Sequence, residues 1–271
     1  MRIAMTKRNV TDTVRWIHEE RVEEVVTFRV GKRGTEMVAD WPGFARLTCA
    51  HDGSRAILEP APRASRRDID KLQRGQVRAL LGDLKGHLAL HGSAVAIGGR
   101  AVLFLGADGA GKSTAAAELC LRHGAHMLAD DAASLDVASM GGVFVLPREG
   151  DHWLTHESRI ALGITRPRSG AKREKRALHA MNIAGEPSPL ALVVTLRFDP
   201  SAREPALRTL SGGDAARLLL NAAARFDVED IEARRREFEQ VTTVYRCAPF
   251  LELVRPLRAP GGVAALVISA L

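Results

Sequence analysis

The sequence predicts an α/β protein in which helices flank a mixed sheet, with a small β-rich module in front. Strand-like and helical stretches alternate from about residue 88 onward. Within this part, an apolar strand runs through a glycine-rich turn into an alanine-rich helix at 102–120. The earlier residues form short, roughly alternating stretches broken by glycine and proline. We therefore predict three parts: a small β-rich N-terminal module over 1–62, a connecting helix over 63–87 and the α/β domain over 88–271.

The connecting segment carries the signals of an amphipathic helix. Ser65 stands where an N-cap is expected, with Asp68 three residues later. Apolar residues then recur at helical spacing through Leu72 and Val77 to Leu81. This pattern predicts a helix with one buried face between the two larger parts.

The α/β domain can be divided into elements from its apolar runs and glycines. Two strands surround a turn at Gly98 and Gly99, and a helix over 112–123 ends before Gly124. A short apolar strand at 126–129 ends in two carboxylates. Further strands are predicted at 141–147, 190–198, 242–250 and 251–257, and further helices at 211–226, 227–241 and 260–271.

Composition excludes several function classes. No apolar run approaches the 18 residues typical of a membrane span, and the first residues lack the shape of a signal peptide, so we predict a cytoplasmic protein without a membrane partner. The formal net charge is +7, but aromatic residues do not interleave with the basic ones and no DNA-binding motif is present. We therefore expect no nucleic-acid partner.

The strongest motif is GADGAGKS at 106–113, which fits the pattern G-x-x-x-x-G-K-[ST] between a strand and a helix. Glycines let successive backbone N–H groups point at phosphate oxygens, and the helix N-terminus favours the same anion. Lys112 is expected at the β- and γ-phosphates and Ser113 at Mg²⁺. The predicted nucleotide-binding residues are Gly106, Ala107, Asp108, Gly109, Ala110, Gly111, Lys112, Ser113 and Thr114.

Two adjacent carboxylates form the second motif. Asp130 and Asp131 close an apolar strand soon after the helix that begins with Lys112. A strand ending in Asp beside a phosphate-binding loop is where Mg²⁺ is held, and a neighbouring acid can accept a proton from an attacking hydroxyl. The alternative without a catalytic role is that one or both aspartates are helix caps or surface carboxylates.

His91 is a third candidate site residue. It lies one strand upstream of the glycine-rich turn, in the segment ALHGSAV, and a hairpin would return it toward the phosphates if the strand register allows. A lone histidine is more often structural, and spacing by itself favours that alternative.

These three segments, LHGSAV, GADGAGKST and LADDAASL, resemble in order and spacing the catalytic domain of the HPr serine kinase/phosphorylase family. The resemblance extends to the stand-alone members that act on ribosomal precursor peptides such as lasso-peptide precursors. It implies a P-loop kinase core of HPr kinase type that uses ATP and Mg²⁺ to phosphorylate a serine of a peptide or small protein. It further implies that Lys112 and Ser113 bind phosphate and metal, Asp130 is the acid–base residue, Asp131 is a metal or orienting carboxylate, and His91 is an active-site neighbour.

The chain departs from that family in ways that leave alternatives open. The N-terminal module differs from that of true HPr kinases, so a kinase/phosphorylase that acts on a phosphocarrier protein is kept as the alternative to the peptide kinase, and a homo-oligomer like that of the family is left open. A nucleotide-binding regulator without transfer activity fits the glycine-rich motif equally well, and a kinase for free serine or another small hydroxyl compound is a third, weaker alternative. The cation that covers the transferred phosphoryl group is unassigned, with four candidates: Arg159, Arg166, Lys172 and Arg173.

Overall fold

A computed structural model of the chain has the mixed α/β architecture that the sequence predicts. It describes residues 13–137, 140–148, 150–165, 175–256 and 263–271. Within these ranges, no helix combines the length and apolar character that crossing a bilayer requires.

The strands fall into two main sheets and one short pair. The first sheet is antiparallel, with its five strands in sequence order. Its strands are β1 Arg15–Val22, β2 Val25–Arg33, β3 Glu36–Trp41, β4 Ala45–Ala50 and β5 Ile57–Pro60. The remaining strands are β6 Leu88–Leu90, β7 Ser93–Ile97, β8 Arg100–Leu105, β9 His126–Ala129, β10 Ala133–Asp136, β11 Phe144–Val145, β12 Asp151–Leu154, β13 Arg176–His179, β14 Ser188–Phe198, β15 Ala206–Thr209 and β16 Phe250–Arg255.

The second sheet is mixed and carries the glycine-rich loop. Its main path runs β6-β10-β11-β14-β8-β7-β9, and β16 pairs with both β14 and β15. Strands β8, β14 and β16 are parallel to their neighbours in this group, whereas β7 is antiparallel to β8 and to β9. Strands β12 and β13 form a separate antiparallel pair.

In the described part of the chain, the α-helices range from 6 to 17 residues in length. They are α1 Arg66–Leu72, α2 Arg78–Leu84, α3 Lys112–His123, α4 His156–Ala161, α5 Gly213–Ala222, α6 Ile231–Cys247 and α7 Val263–Ser269. A π-helical turn, Gln73–Val77, joins α1 to α2, so that the connecting segment is one continuous helical stretch. The predicted N-cap is confirmed, because the Ser65 side chain accepts a hydrogen bond from the backbone N–H of Asp68.

Helices cover both faces of the mixed sheet, as alternation along β8 requires. Leu103 and Leu105 pack in one fully buried cluster with Leu219 of α5 and Val244 of α6. Their neighbours in the strand point to the opposite cluster, where α3 and α7 pack. A buried strand with helices on both sides holds its carboxyl end, and the loop that follows it, in a fixed position.

The five-stranded sheet packs on the connecting helix and on a later segment. Phe28 lies in a cluster with Leu72 and Leu80 of the helical stretch, and its ring meets that of Phe226 at 6.2 Å between centroids. An ion pair of 2.6 Å joins Lys32 to the neighbouring Asp227. The N-terminal strands are therefore tied to the rest of the chain by apolar and ionic contacts.

The strand predicted at 242–250 is wrong. Helix α6 continues to Cys247, and the strand begins only at Phe250. The β-branched residues fit the helix because the hydroxyls of Thr242 and Thr243 donate to backbone carbonyls four residues earlier. Val244 meanwhile supplies a buried contact on the helix face that packs against the sheet.

Candidate active site

The glycine-rich loop, residues 106–111, connects β8 to α3 as predicted. Gly106 has a φ of 128°, and a Cβ added there would lie 3.2 Å from the carbonyl oxygen of Leu196. Gly111 has a φ of 100° and ends the loop just before α3 begins at Lys112. Side chains are strained at such φ values, so the loop depends on glycine to turn its backbone into the N-terminus of α3. A glycine-rich loop that leads into the N-terminus of a helix is an arrangement that suits an anion.

Lys112 folds back over this loop. Its ammonium group donates to the carbonyl oxygens of Gly106 at 2.7 Å and Ala107 at 3.2 Å. Burial lowers the pKa of Lys112, and the nearby Asp108 carboxylate opposes that effect. The lysine is thus held at the loop by backbone carbonyls, in reach of an anion bound there.

Asp130 is a buried acceptor at the centre of a hydrogen-bond network. Its Oδ1 accepts from the hydroxyls of Ser93 at 2.5 Å and Ser113 at 2.7 Å, and its Oδ2 accepts from the backbone N–H of Trp153 at 2.7 Å. The side chain follows β9, which pairs with β7 where Ser93 lies, so the sheet register sets the contact. The residue is only 1% exposed. This network fixes a carboxylate directly behind the first hydroxyl of α3.

Asp131, unlike the buried Asp130, is partly exposed to solvent. Its φ of 71° lies in the left-handed region, and its backbone N–H donates to Oδ1 of Asp130 at 3.0 Å. This turn directs its side chain, which is 33% exposed, away from the buried network. Oδ1 of Asp131 lies 3.9 Å from Nδ1 of His91. Left-handed backbone at non-glycine residues often marks functional positions.

His91 joins the carboxylates to the glycine-rich loop. Its Nε2 lies 3.0 Å from Oδ1 of Asp108, while its other ring nitrogen faces Asp131. The hydrogen bond from His91 is the main reason that the pKa of Asp108 is lowered. The predicted hairpin return of His91 to the loop is therefore present in the structure.

A cleft of about 890 Å³, the main cleft, opens in front of the loop. Sheet order places two kinds of lining on opposite sides of β8. On the side of β7 and β9 the lining is polar, with His91 and Asp131. On the side of β14 and β16 it contains Leu196 and Phe198. The main cleft therefore extends from carboxylates, across the loop, to an apolar wall.

Arg255, at the end of β16, is a cleft residue that the sequence did not reveal. Its Nη2 donates to the carbonyl oxygen of Ala110 at 2.7 Å, and its guanidinium lies where a side chain on Gly111 would have to go. The same group stands 5.1 Å from the ring centroid of Phe198. Burial lowers its pKa, partly offset by Glu118. Arg255 thus braces the glycine-rich loop from the neighbouring strands.

Comparisons with known proteins add little to this geometry. No protein-family model matches the chain, and no curated protein matches it either. Among solved structures, the chain is similar to the Hpr(Ser) kinase/phosphatase from Coxiella burnetii, with a TM-score of 0.35 and 11% identity. That alignment covers 67% of this chain and 87% of that one. The similarity is distant.

The structure brings the predicted site residues into one place. Lys112, Ser113, Asp131 and His91 all line the main cleft, and Asp130 lies directly behind Ser113. Thr114, also predicted at the site, donates its hydroxyl to Ser158 at 2.9 Å.

Of the four candidate cations for a transferred phosphoryl group, the structure describes Arg159. Arg159 donates to the carbonyl oxygen of Ala177 at 2.9 Å. Arg166, Lys172 and Arg173 lie outside the described residues. Lys175, just after them, does line the main cleft.

Proposed function

We propose that this chain is an ATP- and Mg²⁺-dependent kinase with a P-loop core of HPr kinase type. It would transfer the γ-phosphoryl group of ATP to a serine hydroxyl of a peptide or small protein. The proposal depends on the arrangement of two carboxylates. The Ser113 hydroxyl, in the first turn of α3, donates to Oδ1 of the buried Asp130 at 2.7 Å, and Asp131 faces the main cleft. A regulator that only binds nucleotide has no need of this second, cleft-facing acid.

The triphosphate would bind at the glycine-rich loop. Backbone N–H groups of residues 106–111 and the N-terminus of α3 provide donors for phosphate oxygens, and Lys112 provides a positive charge. Leu196 and Phe198 offer apolar surface across the loop from the carboxylates, where the nucleoside would lie. Phosphoryl transfer depends mainly on positioning and charge neutralisation, and these groups supply both.

The residues also fit a magnesium ion. Within the described ranges, no three His, Cys, Asp or Glu side chains converge as metal ligands. Mg²⁺, however, is commonly bound by one or two protein oxygens together with substrate phosphates. Ser113 and Asp130 are such a pair, and the ion would neutralise charge on the phosphates.

Asp131 is then the proton acceptor in our proposal. The acceptor serine would give its proton to Asp131 while its oxygen bonds to the γ-phosphorus. The bond from that phosphorus to the bridging oxygen breaks, and ADP leaves with the oxygen. The family resemblance assigns Asp130 as the acid–base residue and Asp131 as a metal or orienting carboxylate. We favour the reverse because Asp130 is buried against Ser113, whereas Asp131 is open to the cleft.

The identity of the acceptor rests on the sequence resemblance. That resemblance points first to a ribosomal precursor peptide of lasso type and second to an HPr-like phosphocarrier protein. Both would present a serine hydroxyl to the same cleft, so the chemistry at Asp131 is common to them.

The test uses the purified full chain. We expect it to bind ATP in the presence of Mg²⁺ and to add one phosphoryl group to a serine of an acceptor peptide, detected by mass spectrometry. Lys112→Ala should lose both activities, because it removes the cation held at the loop. Binding of ATP with phosphate release but no modified acceptor would favour the non-transferring regulator. Failure to bind any nucleoside triphosphate with Mg²⁺ would overturn the proposal entirely.

A further inference from the structure

A second pocket adjoins the main cleft on the side of the carboxylates. It has a volume of about 300 Å³ and is lined by α1 on one side and by the β12–β13 pair on the other. Trp153 lines both this pocket and the main cleft, so the two spaces share a wall. Trp153 is only 6% exposed, so it is packed in the fold and still lines both spaces.

The helix that lines the second pocket is rich in cations. Arg66, Arg67 and Arg74 all line it, and Lys71 stands 5.1 Å from the ring of Trp153. Arg66 and Arg67 are exposed, and Arg67 also donates to the carbonyl oxygen of Lys175 at 3.0 Å. We call this pocket the basic groove.

The acidic residues of the basic groove do not cancel this charge. Asp151 is already engaged, because it pairs with Arg74 at 2.5 Å and accepts from His179 at 3.0 Å. Asp70, on the same helix, also lines the groove, so that three arginines stand against two aspartates in its lining. The groove therefore keeps an excess of positive charge, which attracts an anionic partner and steers its approach.

The helical stretch also reaches the reacting groups. Its π-helical turn brings Gly75 against the site, where a Cβ on Gly75 would lie 4.0 Å from Oδ2 of Asp131. π-Helical turns are often found at functional sites. One continuous segment thus carries cations in the basic groove and forms the wall beside the proposed proton acceptor.

We propose that the basic groove is a docking site for an acidic segment of the acceptor peptide. Glutamate or aspartate side chains would pair with Arg66 and Arg67, and the chain would pass Trp153 to place its serine at Asp131. This docking role rests on the kinase function proposed above. Contacts remote from the reacting atoms can supply the positioning on which transfer depends.

Binding of synthetic peptides tests the docking site without requiring turnover. Three labelled peptides share one serine and differ only in flanking residues, which are glutamate, glutamine or lysine. Fluorescence anisotropy is measured with the full chain at low and at raised salt. We expect the glutamate peptide to bind about tenfold more tightly than the glutamine peptide at low salt, with the difference shrinking as salt screens the pairs. The lysine peptide should bind most weakly.

Charge reversal on the helix locates the effect. The double variant Arg66→Glu with Arg67→Glu should lose the preference for glutamate, and should favour the lysine peptide. The matched control, Arg100→Glu with Arg246→Glu, reverses two exposed arginines that line neither pocket and should behave as the parent chain. Because all four residues are exposed, both variants are expected to fold, which circular dichroism checks.

Three outcomes would overturn the docking site. The first is equal binding of the glutamate and glutamine peptides, and the second is an unchanged preference for glutamate in the Arg66 and Arg67 variant. The third is displacement of the labelled glutamate peptide by single-stranded oligonucleotide at a lower concentration than the unlabelled glutamate peptide requires. The proposed function fails separately. Phosphorylation at a rate that does not depend on the flanking charge would support the kinase function and contradict the docking site. Selective peptide binding without transfer would do the opposite.

Discussion

Nε2 of His91 lies 3.0 Å from Oδ1 of Asp108, so a histidine from the β6–β7 connection holds a carboxylate of the glycine-rich loop. That same oxygen is 3.9 Å from Nζ of Lys112. The exposed carboxylate of Asp108 therefore stands between His91 and Lys112, two groups that a bound triphosphate would use in the proposed function. A nucleotide bound as proposed would have to displace this carboxylate or tolerate it.

Neutralising this carboxylate should strengthen nucleotide binding. We expect Asp108→Asn to bind ATP about fivefold more tightly, because one charge about 4 Å from another is worth about 1 kcal/mol in water. The amide can still accept a hydrogen bond from His91. Isothermal titration calorimetry at two salt concentrations measures the gain, which should shrink at high salt. Asp214→Asn, at an exposed position on α5, is the control, and weaker binding by Asp108→Asn would contradict the prediction.

The two adjacent aspartates should respond differently to the same substitution. Asp131→Asn is expected to keep Mg²⁺-dependent ATP binding within a few-fold and to lower the transfer rate by about 10²–10⁴, the contribution of a general base. Asp130→Asn should weaken ATP binding when Mg²⁺ is present, because it alters the carboxylate bonded to Ser113. ATP affinity with and without Mg²⁺, and single-turnover transfer, separate the effects.

The roles that the family resemblance implies for Asp130 and Asp131 predict the reverse pattern. If Asp130→Asn keeps nucleotide binding and loses transfer while Asp131→Asn loses the metal dependence, the assignment by exposure is wrong and Asp130 is the base. Thermal unfolding of both variants checks that the buried position has not simply destabilised the fold.

Arg255 should matter for nucleotide binding although it lies 145 residues from its hydrogen-bond partner Ala110. Arg255→Ala removes that bond and the guanidinium packed on Gly111, so the loop loses a brace that orders it. We expect ATP affinity to fall about tenfold, equivalent to about 1.4 kcal/mol. Arg197→Ala is the matched control, since Arg197 is a partly exposed arginine on the adjacent β14. Equal ATP affinities for the two variants would show that the brace is dispensable.

Asp83 gives the fold a distinct pH dependence. Burial raises the pKa of this carboxyl from 3.8 to about 6, although Arg236 opposes the change. The folded state therefore favours the protonated form of Asp83. The contribution of this carboxyl to the free energy of unfolding is fully present below about pH 4 and is lost as pH rises through about 6. Asp83→Asn keeps a neutral side chain at all pH values. It should raise the free energy of unfolding by about 1–3 kcal/mol at pH 8.

Urea denaturation of the parent chain and of Asp83→Asn at pH 5 and pH 8 measures this difference. The advantage of the variant should be larger at pH 8 than at pH 5. Glu186→Gln, at an exposed carboxylate, should show no such trend. An advantage that is the same at both pH values would mean that the substitution acts through packing.

Local signals in the sequence were sufficient for the loop and the helix starts. The glycines before Lys112 and the Ser65 cap act within a few residues, so their structures follow from neighbouring sequence. The contact of His91 with the loop was anticipated as conditional on register, and the pairing of β7 with β8 supplies that register.

Contacts between distant strands could not be predicted. Ser93 meets Asp130 because β7 pairs with β9, and Arg255 reaches Ala110 because β16 lies parallel to β14. Neither pairing has a local signature. Helix α6 was divided in the prediction because threonines resemble strand residues, whereas packing of Val241 and Val244 against the sheet decides in favour of the helix.

The π-helical turn beside Asp131 bears on how the chain can be shortened. A fragment starting at residue 88 would retain the whole glycine-rich motif and both aspartates, yet it would lack the wall that Gly75 forms next to Asp131. It would also expose Phe226, which packs against the first sheet. Motif boundaries thus understate the shortest fragment that keeps the walls of the candidate site, and expression fragments need to start well upstream of Ser65.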